Sequence, residues 1–155
     1  MGERDIAMIR IRTMLPKDIP TVIEIEKAAF SDPWNELDFY AELLYPDVRS
    51  WVAIEKRRVC AYLIFQIGEA DLHIHNIAVI EVRRRHGIGG KLFDKMLRYA
   101  RRYAASALTL EVSENNTAAA IFYAKQGFEI CGREEGYYSG ETSAALHLIR
   151  KLEKY

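Results

Sequence analysis

Between Leu72 and Tyr103 three features follow one another directly: a strand whose apolar phase slips, a glycine-rich turn, and a long amphipathic helix. In the strand, about Leu72 to Val79, Leu72 and Ile74 are apolar in one phase while Ile77 and Val79 are apolar in the other. Side chains alternate strictly along a strand, so the slip predicts a β-bulge near His75-Asn76. Such a bulge is either frayed pairing without a role or a place where unpaired N–H groups serve a ligand. Arg83-Arg84-Arg85-His86 then leads into Gly87-Ile88-Gly89-Gly90, after which Ile88, Leu92, Met96, Leu97, Ala100 and Tyr103 mark one helix face.

A glycine turn that opens a helix behind a strand is an anion site. The first helical N–H groups lack internal partners, and the helix dipole adds partial positive charge there. Gly87, Gly89 and Gly90 would let a phosphate approach the backbone without a Cβ in the way. The spacing excludes two common phosphate loops. Gly90-Lys91 is followed by Leu92 and no glycine stands at position 85, which rules out a Walker A loop. A dinucleotide GxGxxG fails because its sixth position is Leu92. By the glycines alone, a purely structural turn stays open.

The surrounding pattern predicts alternating strands and helices. Ile9-Arg10-Ile11-Arg12 reads as a half-buried opening strand. Asp18 is placed to cap a helix carrying Ile19, Val22, Ile23, Glu26 and Phe30, and Asn35 to start a second helix that Pro46 closes. Strands are expected over 50–55 and 59–67, joined by a basic turn at Lys56-Arg57-Arg58, and another over 107–112 with Thr109 and Glu111 opposite its apolar side. Asn115 or Asn116 can cap a short helix that Gly127 ends, and two strands over 128–133 and 144–151 follow. The order β-α-α-β-β-β-α-β-α-β-β gives an α/β (α+β) class, layered around one mixed sheet.

Composition narrows the function classes. The 155 residues suit one domain, with residues 1–7 as a loose N-terminal extension. Acidic and basic residues balance at 22 each, which argues against a direct nucleic-acid role. No apolar run is long enough to span a bilayer or resembles a signal peptide, so no membrane partner and a cytoplasmic setting are expected. Cys60 and Cys131 lack metal or disulfide spacing, and His73-x-His75 lacks a third ligand, so no metal is expected.

Arg84-x-x-Gly87-x-Gly89 resembles the acyl-coenzyme A pyrophosphate loop of the GNAT acetyltransferase superfamily. Asn76-Ile77-Ala78-Val79 before it, Leu110-Glu111-Val112 with Asn115-Asn116 after it, and Tyr123 with Gly127-Phe128 are similar to further family signatures. Within the superfamily, Phe30 with Pro33-Trp34 and Gly136-Tyr137-Tyr138 resemble the bacterial ribosomal-protein-alanine and archaeal N-terminal protein acetyltransferases. Ser113 departs from the arginine that many of these carry after Leu-Glu-Val.

The resemblance implies a GNAT three-layer sandwich and acetyl-CoA as co-substrate. It implies acceptors that are protein or peptide N-termini, with ribosome proximity. It assigns Glu111 as base, His73 as its partner through an ordered water, and Tyr123 as acid for the departing thiolate. Backbone groups of Ile77, Ala78 and Val79 would hold the carbonyl oxygen and pantetheine. The loop Arg84, Arg85, His86, Gly87, Ile88, Gly89 and Gly90 would hold the pyrophosphate, and Asn116 the pantetheine arm. Phe30, Pro33, Trp34, Tyr137 and Tyr138 would grip the acceptor.

The chemistry fits an α-amine. With a pKa near 8, its deprotonation at neutral pH costs about 1.4 kcal/mol, against roughly 4.6 kcal/mol for a lysine ammonium. A weak base therefore suffices. Lysine side chains, polyamines or small amines as acceptors, and a non-catalytic acyl-CoA-binding module, stay open as alternatives.

Overall fold

The computed structural model describes residues 8–84, 86–136 and 144–153. Arg85, Tyr137, Tyr138 and the N-terminal extension over 1–7 lie outside the described residues. The elements are β1 (Arg10–Thr13), α1 (Ile19–Ala29), α2 (Glu36–Leu44), β2 (Val48–Glu55), β3 (Arg58–Ile67), β4 (Asp71–Val79), α3 (Ile88–Arg102), β5 (Ala107–Ser113), α4 (Thr117–Lys125), β6 (Glu129–Glu134) and β7 (Ala145–Lys151), with single 3₁₀ turns before α1 and after β4. This is the predicted order. The seven strands form one sheet in the order β1-β2-β3-β4-β5-β7-β6.

Every neighbouring pair is antiparallel except β4 with β5. That parallel pairing covers only Asp71↔Ala107, Leu72↔Leu108 and His73↔Thr109. β4 runs six residues further and β5 four, without pairing to each other. The sheet is therefore split part-way along its middle.

Apolar side chains fill both faces. On one, Trp51, Leu63, Phe65, Leu72 and Leu108 pack with Leu92, Phe93 and Met96 of α3. On the other, Val52, Tyr62 and Ile64 pack with Ile19, Val22 and Ile25 of α1 and Phe39 of α2. Each such fully buried side chain contributes about 1.5–3 kcal/mol.

The bulge lies where the apolar phase slips. Ile64 of β3 pairs with Asn76 and Phe65 with Ile74, leaving His75 as the extra residue. The insertion keeps Leu72, Ile74, Ile77 and Val79 all against the α3 cluster, although their spacing changes by one. His75 and Asn76 both turn toward the α1–α2 side, where they meet Glu42 and Glu26.

Local end signals hold with one exception. Asn35 and Asp38 form a reciprocal capping box at α2, each side chain accepting from the other's backbone N–H at 2.9 Å. Asn116 Oδ1 accepts from the Ala119 N–H at 3.1 Å to cap α4. Asp18, expected to cap α1, makes no cap hydrogen bond. Its carboxylate instead accepts from both terminal nitrogens of Arg12, at 2.7 and 2.9 Å, and from the Leu15 N–H at 2.8 Å. The charge-assisted fork from Arg12 and the Leu15 N–H together take up the carboxylate that would otherwise cap α1. Tyr103 also departs from the expected buried face: α3 ends at Arg102, and the exposed Tyr103 ring stacks on Tyr99.

Phe93 is fully buried and meets Phe122, Tyr123 and Phe128 edge-on, with centroids 5.5, 6.1 and 5.8 Å away. It joins α3 to α4, so Phe93→Ala is expected to lose about 3–5 kcal/mol in urea unfolding. A loss below about 1 kcal/mol would show that this junction carries little of the stability.

Candidate active site

The split in the sheet opens into a cleft of about 1080 Å³. Ile74 to Ile77 of β4 form one wall, and Leu110 to Ser113 of β5 form the facing one. Asn116, the N-cap of α4, and Tyr123 of α4 close one end. Phe30 and Trp34, from the segment between α1 and α2, close the other. Because the two strands do not pair with each other here, an extended ligand could be laid between their facing backbone edges.

The glycine turn stands beyond the end of β4, and its glycines serve different ends. Gly87 takes the left-handed conformation, φ 81°, at the N-cap of α3, where no side chain caps the helix. A Cβ on Gly89 would stand 3.1 Å from the Phe122 ring, so this glycine lets α3 and α4 pack closely. A Cβ on Gly90 would meet nothing within 4 Å, leaving the helix start open to a ligand. Gly89 thus has a packing reason to lack a side chain, beside any role in the loop. Arg84 Nε donates to the Val79 carbonyl at 3.0 Å and ties the turn to the strand it leaves.

On the cleft floor, His73 Nε2 lies 2.8 Å from Glu111 Oε2. His147 Nδ1 of β7 lies 3.5 Å from the other Glu111 oxygen. His73 Nδ1 lies 2.6 Å from Thr109 Oγ1, which donates onward to Asp71 Oδ2 at 3.1 Å. The parallel register sets this up, since His73 and Thr109 are the last facing pair before the strands part. The contact with His73 holds the Glu111 carboxyl below its ordinary range, against the opposing effect of burial. The same hydrogen bond raises the His73 imidazole above its ordinary 6.5, again against burial.

Glu26 was visible in the sequence only as one carboxylate on the apolar face of α1. It is 1% exposed and lines the cleft. One oxygen accepts from the Tyr62 hydroxyl and from Asn76 Nδ2, and the other accepts from the Trp34 N–H at 2.9 Å. Burial pushes its carboxyl up despite these donors. Glu26 therefore fastens the segment bearing Trp34 to the bulged strand. Tyr123 is buried and reaches the cleft. Pro33, Ala78 and Val79 are not among the residues lining it. No group of three or more potential metal ligands occurs among the described residues.

The Acetyltransferase (GNAT) family model matches residues 19–128, which includes the split strands, the glycine turn and α4. The chain belongs to the GNAT acetyltransferase family. It is an N-acetyltransferase. This GNAT chain is 33% identical over 137 residues to a putative ribosomal protein bS18-alanine N-acetyltransferase of Bacillus subtilis, covering 88% of this chain and 91% of that one. It is 28% identical to the Ard1 crystal structure from Thermoplasma volcanium, with a TM-score of 0.84 and coverage of 95% and 99%. The ribosomal-protein-S18-alanine N-acetyltransferase of Escherichia coli shares the fold, with a TM-score of 0.85, 23% identity and 96% coverage of both chains.

The His73–Glu111 ion pair carries a stability signature with two limbs. Raised in the fold, His73 contributes stability that is full below 6.5 and is lost as pH rises through its folded value. Depressed in the fold, Glu111 contributes stability present above 4.5 and lost as pH falls through its folded value. Histidine NMR titration is expected to place the His73 midpoint above 6.5, and Glu111→Gln to move it down. A midpoint unchanged by that substitution would contradict the pairing.

Proposed function

We propose that this GNAT enzyme is a single-domain transferase that moves acetyl from acetyl-CoA to the N-terminal α-amine of proteins, by direct attack in a ternary complex. The direct contact of His73 with Glu111 on the floor of an open cleft carries the reading. Acetyl-CoA suits the residues present. The uncapped start of α3 beside the open Gly90 offers N–H groups for a diphosphate, and the unpaired edges of β4 and β5 offer amides for its pantetheine arm. Bound there, acetyl-CoA supplies the reactive thioester carbonyl.

The chain's own residues handle the proton and the geometry. Glu111 and His73 together accept the proton of the incoming ammonium, a modest demand for an α-amine whose pKa is about 8. Tyr123, buried at the cleft end, donates a proton to the departing sulfur. Asn116 caps α4 and faces the cleft, where it orients the pantetheine arm. Phe30 and Trp34 wall the acceptor side, held by Glu26. Four carboxylates border the cleft, from Glu26, Asp32, Glu42 and Glu111, which favours a cationic acceptor over an acidic one. In this reading Pro33 shapes the loop, Tyr137 and Tyr138 grip the acceptor, and Arg85 and His86 contribute to the diphosphate loop. The bS18-directed relatives support a protein substrate near the ribosome. No helix among the described residues is long and apolar enough to cross a membrane.

Neither cysteine lines the cleft. Cys60 is buried, donates to the Ala53 carbonyl and has its thiol pushed up to about 11 by burial. Substituting Cys60 and Cys131 together is expected to leave turnover intact. Loss of turnover in a folded protein would indicate an acyl-cysteine route instead.

Glu111→Gln and Tyr123→Phe are each expected to lower kcat on free-amine peptides by about 10²–10⁴-fold. Peptides with blocked α-amines and free lysines should react poorly. Activity confined to the blocked peptides would replace the α-amine reading with a lysine one, and unaffected turnover in both variants would refute the assigned residues.

A further inference from the structure

The hydrogen bonds around His73 leave little freedom in where protons sit. Thr109 has one hydroxyl proton, and its Oγ1 donates that proton to Asp71 Oδ2 at 3.1 Å. The same oxygen lies 2.6 Å from His73 Nδ1, so it must accept there, and Nδ1 must carry a proton. At the far side of the ring Nε2 faces the Glu111 carboxylate at 2.8 Å and must also carry a proton. Only the imidazolium satisfies all three contacts. If His73 gives up a proton, either the Thr109 hydroxyl turns away from Asp71 or one ring contact loses its donor.

We propose that Asp71 and Thr109 are positioning residues that hold His73 doubly protonated against Glu111 and thereby set the pH above which the pair can accept a proton from the amine. This rests on His73 and Glu111 acting as the proton acceptor in the reading above. Neither Thr109 nor Asp71 lines the cleft, so they act through the imidazole. Asp71 sits at the start of β4, its side chain packed beside Gly68, where an added Cβ would fall 2.4 Å from Oδ1.

The other ionisable groups around His73 are accounted for. Glu111 lies on β5, and His147 of β7 stands at the other Glu111 oxygen. His75 stands edge-on to the His73 ring at 5.8 Å and is itself paired with Glu42 of α2 and Gln66 of β3. Of these groups, only the Asp71–Thr109 arm acts at Nδ1, the nitrogen turned away from Glu111.

Two readouts on the full-length chain test the proposal: the His73 midpoint by NMR, and the acid limb of kcat/KM with acetyl-CoA and a free-amine peptide. Thr109→Val removes the Nδ1 acceptor, and Asp71→Asn removes the charge behind it. Both are expected to lower the His73 midpoint by about one pH unit and to carry the acid limb down with it. One unit below the wild-type midpoint, each variant would then keep several-fold more of its own plateau rate than the wild type does. Thr109→Ser, which restores the hydroxyl, should return both readouts to wild-type values.

Unmoved midpoints in Thr109→Val and Asp71→Asn would overturn the proposal, as would midpoints that fall while the acid limb stays in place. If Thr109→Val does not fold, Asp71→Asn at its partly exposed position decides on the same two readouts. The NMR midpoint needs no turnover. A shift there, alongside full activity of Glu111→Gln, would sink the catalytic reading while leaving the proton-holding role of Asp71 and Thr109 intact.

Discussion

The parallel pairing of β4 with β5 ends at His73↔Thr109, and the site follows from that early end. A parallel pair that continued would have joined the backbone edges now lining the cleft. The His75 bulge takes part in the split on the other side of β4. It lets the strand keep its apolar residues on α3 while turning two successive polar residues, His75 and Asn76, toward α1 and α2. Large hydrophobic clusters on both faces hold the two halves of the sheet, so the gap persists without collapse.

Glu26 is the polar counterpart of that arrangement. A fully buried carboxylate without a cation nearby is costly unless its oxygens are satisfied, and here three donors from three different segments converge on it. Those donors belong to the loop before α2, to β3 and to the bulge of β4. One acidic side chain thereby links the acceptor wall at Trp34 to the strand that borders the cleft. Removing any donor leaves part of a buried charge unpaired, which explains why the loop, the bulge and α1 form one unit.

Charge is distributed unevenly around the cleft. Beyond it, the start of α3, which no side chain caps, presents the positive end of a helix dipole. Toward α1 and α2, Glu26, Asp32 and Glu42 offer negative potential suited to an ammonium. The ion pair of His73 with Glu111 lies in the same cleft. Its two members shift each other's titration in opposite directions, as a coupled pair does.

Much of this was legible in the amino-acid order because its causes are local. Strand and helix order, the bulge near His75-Asn76, the caps at Asn35 and Asn116, the glycine turn and the outward face of Glu111 all depend on residues a few positions apart. The contacts that make the cleft a site depend instead on which strands become neighbours and in what register. Glu26 meets Tyr62 and Asn76 across 36 and 50 residues, and His73 meets Thr109 and Glu111 across 36 and 38. Gly89 makes room for Phe122 on another helix, and Asp18 turns from the helix it precedes to Arg12 on a strand. Side-chain alternation tells which face a residue occupies but not what will stand opposite it. Only the packed sheet, in which β4 and β5 run parallel for three residues and then part, settled those partners.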